Sequence, residues 1–372
     1  MVRHKKQIEE ILTKADVRLN GDRPWDVRVN DERLYSRVLS GGSLALGEAY
    51  MDGWWDCEAL DQFVDRVFRS RLNEDVSRDW RTILYIIKSK FLNLQSIRRS
   101  KKVAKIHYDL DNDLYMSFLD PYNQYTCGYF KDTEDLNEAQ EKKLKLICEK
   151  LKLTSSDRVL DIGCGWGGFA KYASEHYGCH VTGISISDEQ IKYAKEFCKG
   201  LPVDIQKCDY RNVVGEFDKV VVVGMIEHVG YKNYRKIMKI VSEHLKKDGL
   251  FLLHTIGANV STTVSDPWFH KYIFPNGMLP SIRHVGDAIE DLFVMEDWHN
   301  FGSDYDKTLV AWFENFNKAW PRLKEKYDEK FYRMWKYYLL SMAGAFRSRQ
   351  NNQLWQIVLS PKGVSGGYTS LR

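Results

Sequence analysis

Apolar residues recur at helical spacing near the start of the chain, at Ile8, Ile11 and Leu12 and again at Leu60, Phe63, Val64 and Val67. Residues 3 to about 100 therefore read as mostly helical, with one short alternation, Val27-Arg28-Val29, that predicts a strand. Residues 79–102 begin apolar (Ile83, Leu84, Ile86, Ile87) and end basic, with Lys88 and Lys90 followed by Arg98, Arg99, Lys101, Lys102 and Lys105. A new register opens at His107-Tyr108-Asp109, which places a boundary between a helical domain 1–105 and a second domain 106–372. From Arg158 the pattern changes. Short apolar runs at 158–162, 179–184, 203–206, 219–223 and 250–256 predict strands, and helical stretches lie between most of them. That alternation is the signature of βαβ units and a parallel sheet. Runs at 293–298 and 355–360 add two closing strands, with aromatic helices at 304–325 and 329–349 around them. The tail from Pro361, rich in Gly and Ser, reads as loose.

Composition narrows the class. The 372 residues are 44% apolar, 28% charged and 13% aromatic, with a formal net charge of +4. The length suits about two domains, and no apolar run approaches the ~18 residues of a spanning helix. Seven scattered Cys without a Cys-x-x-Cys pair, and a start lacking the apolar core of a signal peptide, point to a reduced cytoplasmic chain. The 55 Lys and Arg are interleaved with 51 Asp and Glu, and nothing resembles a recognition helix or a base-stacking motif. Nucleic acid is therefore not the expected partner.

The most informative motif runs from Val159 to Gly168, where an apolar strand enters a glycine turn. Such a turn can bind a dinucleotide or simply join strand to helix. Here Asp161 stands two positions before Gly163, and single residues separate Gly163, Gly165 and Gly167. This resembles the first motif of class I S-adenosylmethionine-dependent methyltransferases, whose cofactor has a cationic amino acid portion that an acidic residue suits. After the second strand, Ser187 and Gln190 form the spacing of a capping box. Ser185, Ile186, Ser187 and Gln190 equally suit cofactor contact, and a helix N-terminus facing a cleft does both. After the third strand, Asp209 can accept from an adenine amine, while Tyr210 flanks the ring or packs. The fourth strand ends in Glu227-His228, either a catalytic pair or a solvated Glu beside a core His. The fifth delivers His254. These lack the His-Glu-x-x-His spacing, so no metal is expected.

Further stretches carry a family resemblance: residues 42–55, His107-Tyr108-Asp109-Leu110, Gln124-Tyr125-Thr126-Cys127, Glu227-His228-Val229-Gly230, His254-Thr255-Ile256-Gly257, Tyr272-Ile273-Phe274-Pro275-Asn276-Gly277, Trp298-His299-Asn300-Phe301-Gly302 and Ala343-Gly344-Ala345-Phe346-Arg347. Over nearly its whole length the chain resembles the cyclopropane-fatty-acyl-phospholipid synthase and mycolic acid cyclopropane synthase family. The resemblance implies an α/β fold, a Rossmann-like, mostly parallel seven-stranded sheet, with a helical, lipid-engaging N-terminal domain. It implies transfer of a methylene unit from S-adenosylmethionine to the cis double bond of unsaturated acyl chains in a phospholipid bilayer. A related lipid methyltransferase giving a methyl-branched or methylene product is the alternative. It assigns Tyr125 to the cofactor, and Cys127, Glu227, His254, Tyr305 and the Ile256 backbone to a bound bicarbonate that takes a proton from a carbocation. It also implies a homodimer, peripheral on the inner face of the cell membrane. Two departures stand out. Asp111 replaces a frequent glycine, and Met342 replaces a cysteine carried by some members, which excludes a covalent route through that position. The cluster Arg98–Lys105 suits anionic headgroups, or is an ordinary solvated helix face. Part of the aromatic surplus is assigned to an acyl-chain channel.

Overall fold

A computed structural model describes residues 2–71, 112–262 and 265–372. The basic cluster, the expected boundary at residue 105, the His107–Leu110 stretch and Asp111 lie outside the described residues. The chain divides into two units: the described residues of Met1–Leu92, Thr263–Pro275 and Tyr305–Asn352 form one, and those of Asn93–Thr262, Asn276–Asp304 and Gln353–Arg372 form the other.

The second unit is built on seven strands: β1 (Arg158–Ile162), β2 (His180–Ser185), β3 (Val203–Lys207), β4 (Phe217–Val223), β5 (Leu245–Ala258), β6 (Val294–Asn300) and β7 (Asn352–Ser360). Their order across the sheet is β3-β2-β1-β4-β5-β7-β6. The β3/β2, β2/β1, β1/β4 and β4/β5 pairs are parallel, and β6 runs antiparallel to β7. Strict alternation of side chains makes two cores from one sheet. Leu160, Ile162, Val220, Val222, Phe251 and Leu253 face one side, against Ile237 and Val241 of helix Tyr231–His244. Val159, Val181, Val221, Leu250, Leu252 and Val358 face the other, against Leu144, Ile147, Ala170 and Ala173. The order in which successive strands are laid down reverses between the parallel neighbours β1 and β4, and ligands of open sheets bind at the carboxyl ends of the strands beside such a switch.

All seven expected strands are present, with differences at their ends. The start of β5 precedes the expected residue 250, because Leu245 already pairs with Phe217 before Lys246-Lys247-Asp248-Gly249 bulge out and Leu250 pairs with Lys219. The tail is not loose. Arg372 forks onto Asp297 at 2.6 and 2.7 Å, Ser370 bonds the same carboxylate, and the Tyr368 hydroxyl donates to the Lys150 carbonyl.

The first unit is helical, comprising Val2–Thr13, Leu34–Met51, Leu60–Arg69, Pro267–Tyr272 and Glu329–Ser348, with most of Asp304–Leu323. The expected strand near residue 28 pairs antiparallel with Trp55–Asp56. Gly344 lets helix Glu329–Ser348 meet helix Leu60–Arg69 closely, since a Cβ there would lie 2.2 Å from the Asp61 carbonyl oxygen. Arg347 ties the same crossing to Asp61 and Asp306 at 2.6 and 2.8 Å. Trp55, Trp268, Trp312 and Trp335 are fully buried in this unit, so much of the aromatic surplus is core packing. Among the described residues, no helix is long and apolar enough to cross a membrane.

Candidate active site

The glycine turn leaves β1 pinned to its neighbour, because the amides of Gly163 and Cys164 donate to the Ile184 carbonyl at 2.9 and 3.0 Å. Gly163, Gly165 and Gly167 all adopt left-handed backbone, at φ 85°, 54° and 85°. A side chain at Gly163 would strike Met225, whereas one at Gly165 would meet nothing within 4 Å, so the turn presents bare backbone above the strand ends. Asp161 beneath it is 2% exposed, and its Oδ2 has no hydrogen-bond partner among the described residues. Burial pushes its pKa up to about 7, opposed by the nearby ammonium of Lys143. An orphaned, buried carboxylate fits a cationic ligand group such as the ammonium of S-adenosylmethionine.

Lys143 lies fully buried on helix Leu136–Lys150. It donates to Gln124 Oε1 and to Thr126 Oγ1, the latter at 3.0 Å, and burial lowers its pKa to about 8. Gln140, one turn earlier, donates to the Thr126 carbonyl at 2.8 Å, and Asp120 accepts from the amides of Tyr122 and Gln124 at 2.8 Å each. These bonds staple down the segment that carries Tyr125 and Cys127. Tyr125 packs edge-on against Tyr115 at 5.1 Å, and Tyr115 contacts Trp166 of the glycine turn at 5.0 Å.

At the end of β2, half of the expected capping box forms. Ser187 Oγ accepts from the Gln190 amide at 3.4 Å, but the Gln190 side chain pairs with Ser185 Oγ, which also accepts from the Ser187 amide. Ser185, Ser187 and Gln190 thus form one buried polar knot at the carboxyl edge, with Ile186 half-buried between them. Asp209 caps the short turn Tyr210–Asn212, and the Arg211 guanidinium engages both its oxygens at 2.6 and 2.7 Å. Tyr210 is half-buried and packs against the sheet core.

The next two strand ends bring Glu227 and His254 together with the Ile256 backbone. The last ladder bond between β4 and β5 runs from the Gly224 amide to the His254 carbonyl at 2.9 Å. Beyond it β4 has ended, and Glu227 Oε1 accepts from the Ile256 amide at 2.8 Å, so a side-chain carboxylate continues the ladder. Ile256 therefore acts here by holding Glu227. The residue is 8% exposed, which removes the solvated-loop reading; its Oε2 has no partner among the described residues, and burial raises its pKa to about 7. Desolvation lowers the neighbouring His228 to about 4 and keeps its ring neutral. His254 is neutral too, held well below the usual histidine range by burial and by the charges of Lys143 and Lys150. Its Nδ1 lies 3.3 Å from Gln356 Nε2; with the amide so oriented Nδ1 accepts and the ring proton sits on Nε2, which, like Gln356 Oε1, is buried without a partner among the described residues. Cys127 is fully buried in the same unit. Tyr305 belongs to the helical unit, in the first turn of Asp304–Leu323, stacked on Phe346 at 4.4 Å.

A family model described as mycolic acid cyclopropane synthetase matches residues 95–357. The chain belongs to that family. The cyclopropane-fatty-acyl-phospholipid synthase of Escherichia coli (strain K12) is 51% identical over 358 residues, spanning 96% of this chain and 93% of its own. The cyclopropane synthase MmaA2 from Mycobacterium tuberculosis superposes with a TM-score of 0.65 at 26% identity, over 70% of this chain and 98% of that one. The mycolic acid cyclopropane synthase CmaA1, complexed with SAH and CTAB, gives 0.65 at 27% over the same shares. This member of the family is therefore an S-adenosylmethionine-dependent methyltransferase with the class I fold.

Sequence reasoning passed over Lys143, Gln140 and Gln356. Gln140 and Lys143 fall on the same stripe as Ala139, Leu144 and Ile147, and polar residues at core-facing helical positions were the available signal. Gln356 interrupts an apolar strand and is fully buried. Gln356→Leu is expected to lower turnover by at least about tenfold without weakening cofactor binding, because the His254 tautomer is no longer specified. Turnover, cofactor titration and the ¹⁵N shifts of His254 check this; an unchanged tautomer at reduced turnover counts against it.

Proposed function

We propose that this enzyme transfers a methylene unit from S-adenosylmethionine to the cis double bond of unsaturated acyl chains in membrane phospholipids, forming cyclopropane rings. The observation that carries the reading is the pair of buried, unpartnered atoms Glu227 Oε2 and His254 Nε2 at the carboxyl ends of adjacent strands. The identity to the Escherichia coli phospholipid enzyme supports the substrate class.

S-adenosylmethionine supplies an electrophilic methyl on a sulfonium. An alkene is a weak nucleophile, so the residues of the site act by orienting it and excluding water. Asp161 and the Ser185–Ser187–Gln190 knot seat the cofactor, with Tyr125 and Tyr115 flanking the turn. Bicarbonate fits the remaining pair in chemical kind. Glu227 Oε2, as acceptor, and His254 Nε2–H, as donor, would hold it, and Cys127 joins them on the family resemblance alone. There it supplies a small proton acceptor. Tyr305 and Asp209 are retained in their proposed roles on the family resemblance alone. On the same ground we place the enzyme as a homodimer, peripheral on the inner face of the cell membrane, with residues 1–105 as its lipid-engaging domain.

Incubation with vesicles of unsaturated phospholipid and methyl-labelled S-adenosylmethionine is expected to put label into cyclopropane fatty esters, read by chromatography and mass. Absence of label in lipid overturns the proposal. A methyl-branched or methylene ester overturns the ring closure alone.

A further inference from the structure

The loop after β5 and the start of helix Ile282–Ile289 carry two of the most exposed large apolar side chains among the described residues, Val260 at 73% and Ile282 at 63%. Single exposed apolar residues are ordinary, but the two segments that carry these are braced against each other. The Ala258 amide donates to the Pro280 carbonyl at 2.8 Å, Ala258 bridges Ser281, and the hydroxyls of Ser261 and Ser281 lie 2.6 Å apart. The brace also reaches the site, because the Met278 amide donates to the Glu227 carbonyl at 2.8 Å. Only three residues separate Met278, which bonds Glu227, from Ile282.

The surroundings are cationic and aromatic. Arg283 beside Ile282 has an 80% exposed side chain. His284 stacks on Tyr231 at 6.1 Å, and the exposed Lys232 lies 5.7 Å from the Tyr231 ring centroid. Asp287, 3.5 Å from Arg283, is the acidic residue of this group. Apolar tips flanked by Lys, Arg and amphipathic rings match the layered chemistry of an anionic membrane surface: acyl region beneath, phosphate above. We propose that Val260 and Ile282 form a prong that seats in the interface of an anionic phospholipid bilayer, linked through Met278 to the segment that carries Glu227. This rests on the reading of the substrate as a membrane phospholipid, and it adds which surface meets the membrane.

The test uses the full chain and vesicles of unsaturated phosphatidylglycerol and phosphatidylethanolamine. V260S/I282S is expected to bind these vesicles about tenfold more weakly, with activity on them falling in step. Turnover of a dispersed short-chain unsaturated phospholipid and the melting temperature should stay at parent values. V260W, which adds an interfacial anchor, is expected to bind more tightly. Parent-like vesicle binding by V260S/I282S overturns the prong, and does so decisively if light scattering shows a change in assembly, since the patch then meets a second copy of the chain. Vesicle binding by the parent without methyl transfer overturns the proposed function while leaving the prong standing.

Discussion

Glu227→Gln is expected to lower turnover by about 10²–10³-fold while leaving S-adenosylmethionine affinity within about twofold. The replacement keeps shape, and an amide oxygen can still accept from the Ile256 amide as Oε1 does at 2.8 Å. What changes is the other atom: a lone-pair acceptor becomes an N–H₂ donor aimed at the same buried space. Stability should move the opposite way from activity. Burial raises the folded carboxyl to about 7, against an ordinary value of 4.5. Between those two values the folded state holds a proton that the unfolded chain has released, so the contribution of Glu227 to stability falls as pH rises through that window. The glutamine has no proton to lose, and the variant's melting temperature should decline less between about pH 5 and pH 8. Asp161, also raised to about 7, remains in the variant, so part of the decline persists. Calorimetry across pH, beside the vesicle assay, reads both effects; a fully active variant removes Glu227 from its proposed role.

Gly168→Ala carries the largest expected structural effect. The added methyl would sit 1.8 Å from the Tyr122 carbonyl oxygen and 2.3 Å from Gln124 Nε2, at the first residue of helix Gly168–Tyr177. Backbone cannot yield there cheaply, because Asp120, Gln140 and Lys143 already staple the 120–126 segment. A cost of about 3 kcal/mol, or about 4 °C in the melting temperature of a chain this long, follows from overpacking of this kind. The same displacement moves Tyr125 and Cys127, so cofactor affinity and turnover should fall together. Differential scanning calorimetry and cofactor titration would show it, and unchanged values in both would mean that the segment and helix separate more readily than their bonds suggest.

The sheet was legible because its central strands are buried on both faces and read as unbroken apolar runs, Val220–Val223 and Leu250–Leu253 among them. The glycine turn was legible because left-handed backbone leaves a residue type in the sequence. The bulge in β5 was not, since Lys246 to Gly249 has the composition of a turn. Nor was the anchored tail, whose Gly and Ser content says nothing of Arg372 finding Asp297. Buried polar partners are the hardest to see. Lys143 looks like a surface lysine until its helix is known to place it against Gln124 and Thr126. Similarly, the helices within 305–348 follow the sheet strands in sequence but cluster with residues from the beginning of the chain, a long-range fact that local periodicity does not carry.

The ladder bond between Glu227 and Ile256 bears on how relatives of this chain should be read. A residue that both terminates a sheet and carries a proposed role in the reaction is retained for either reason. A glutamate at this position in a chain that has lost its chemistry would still finish the β5 edge. His254 Nε2 bonds nothing among the described residues, and the only side-chain bond that ties the ring into the fold is the one its Nδ1 makes with Gln356. Of the two, the histidine is the position whose loss would mark a silent descendant.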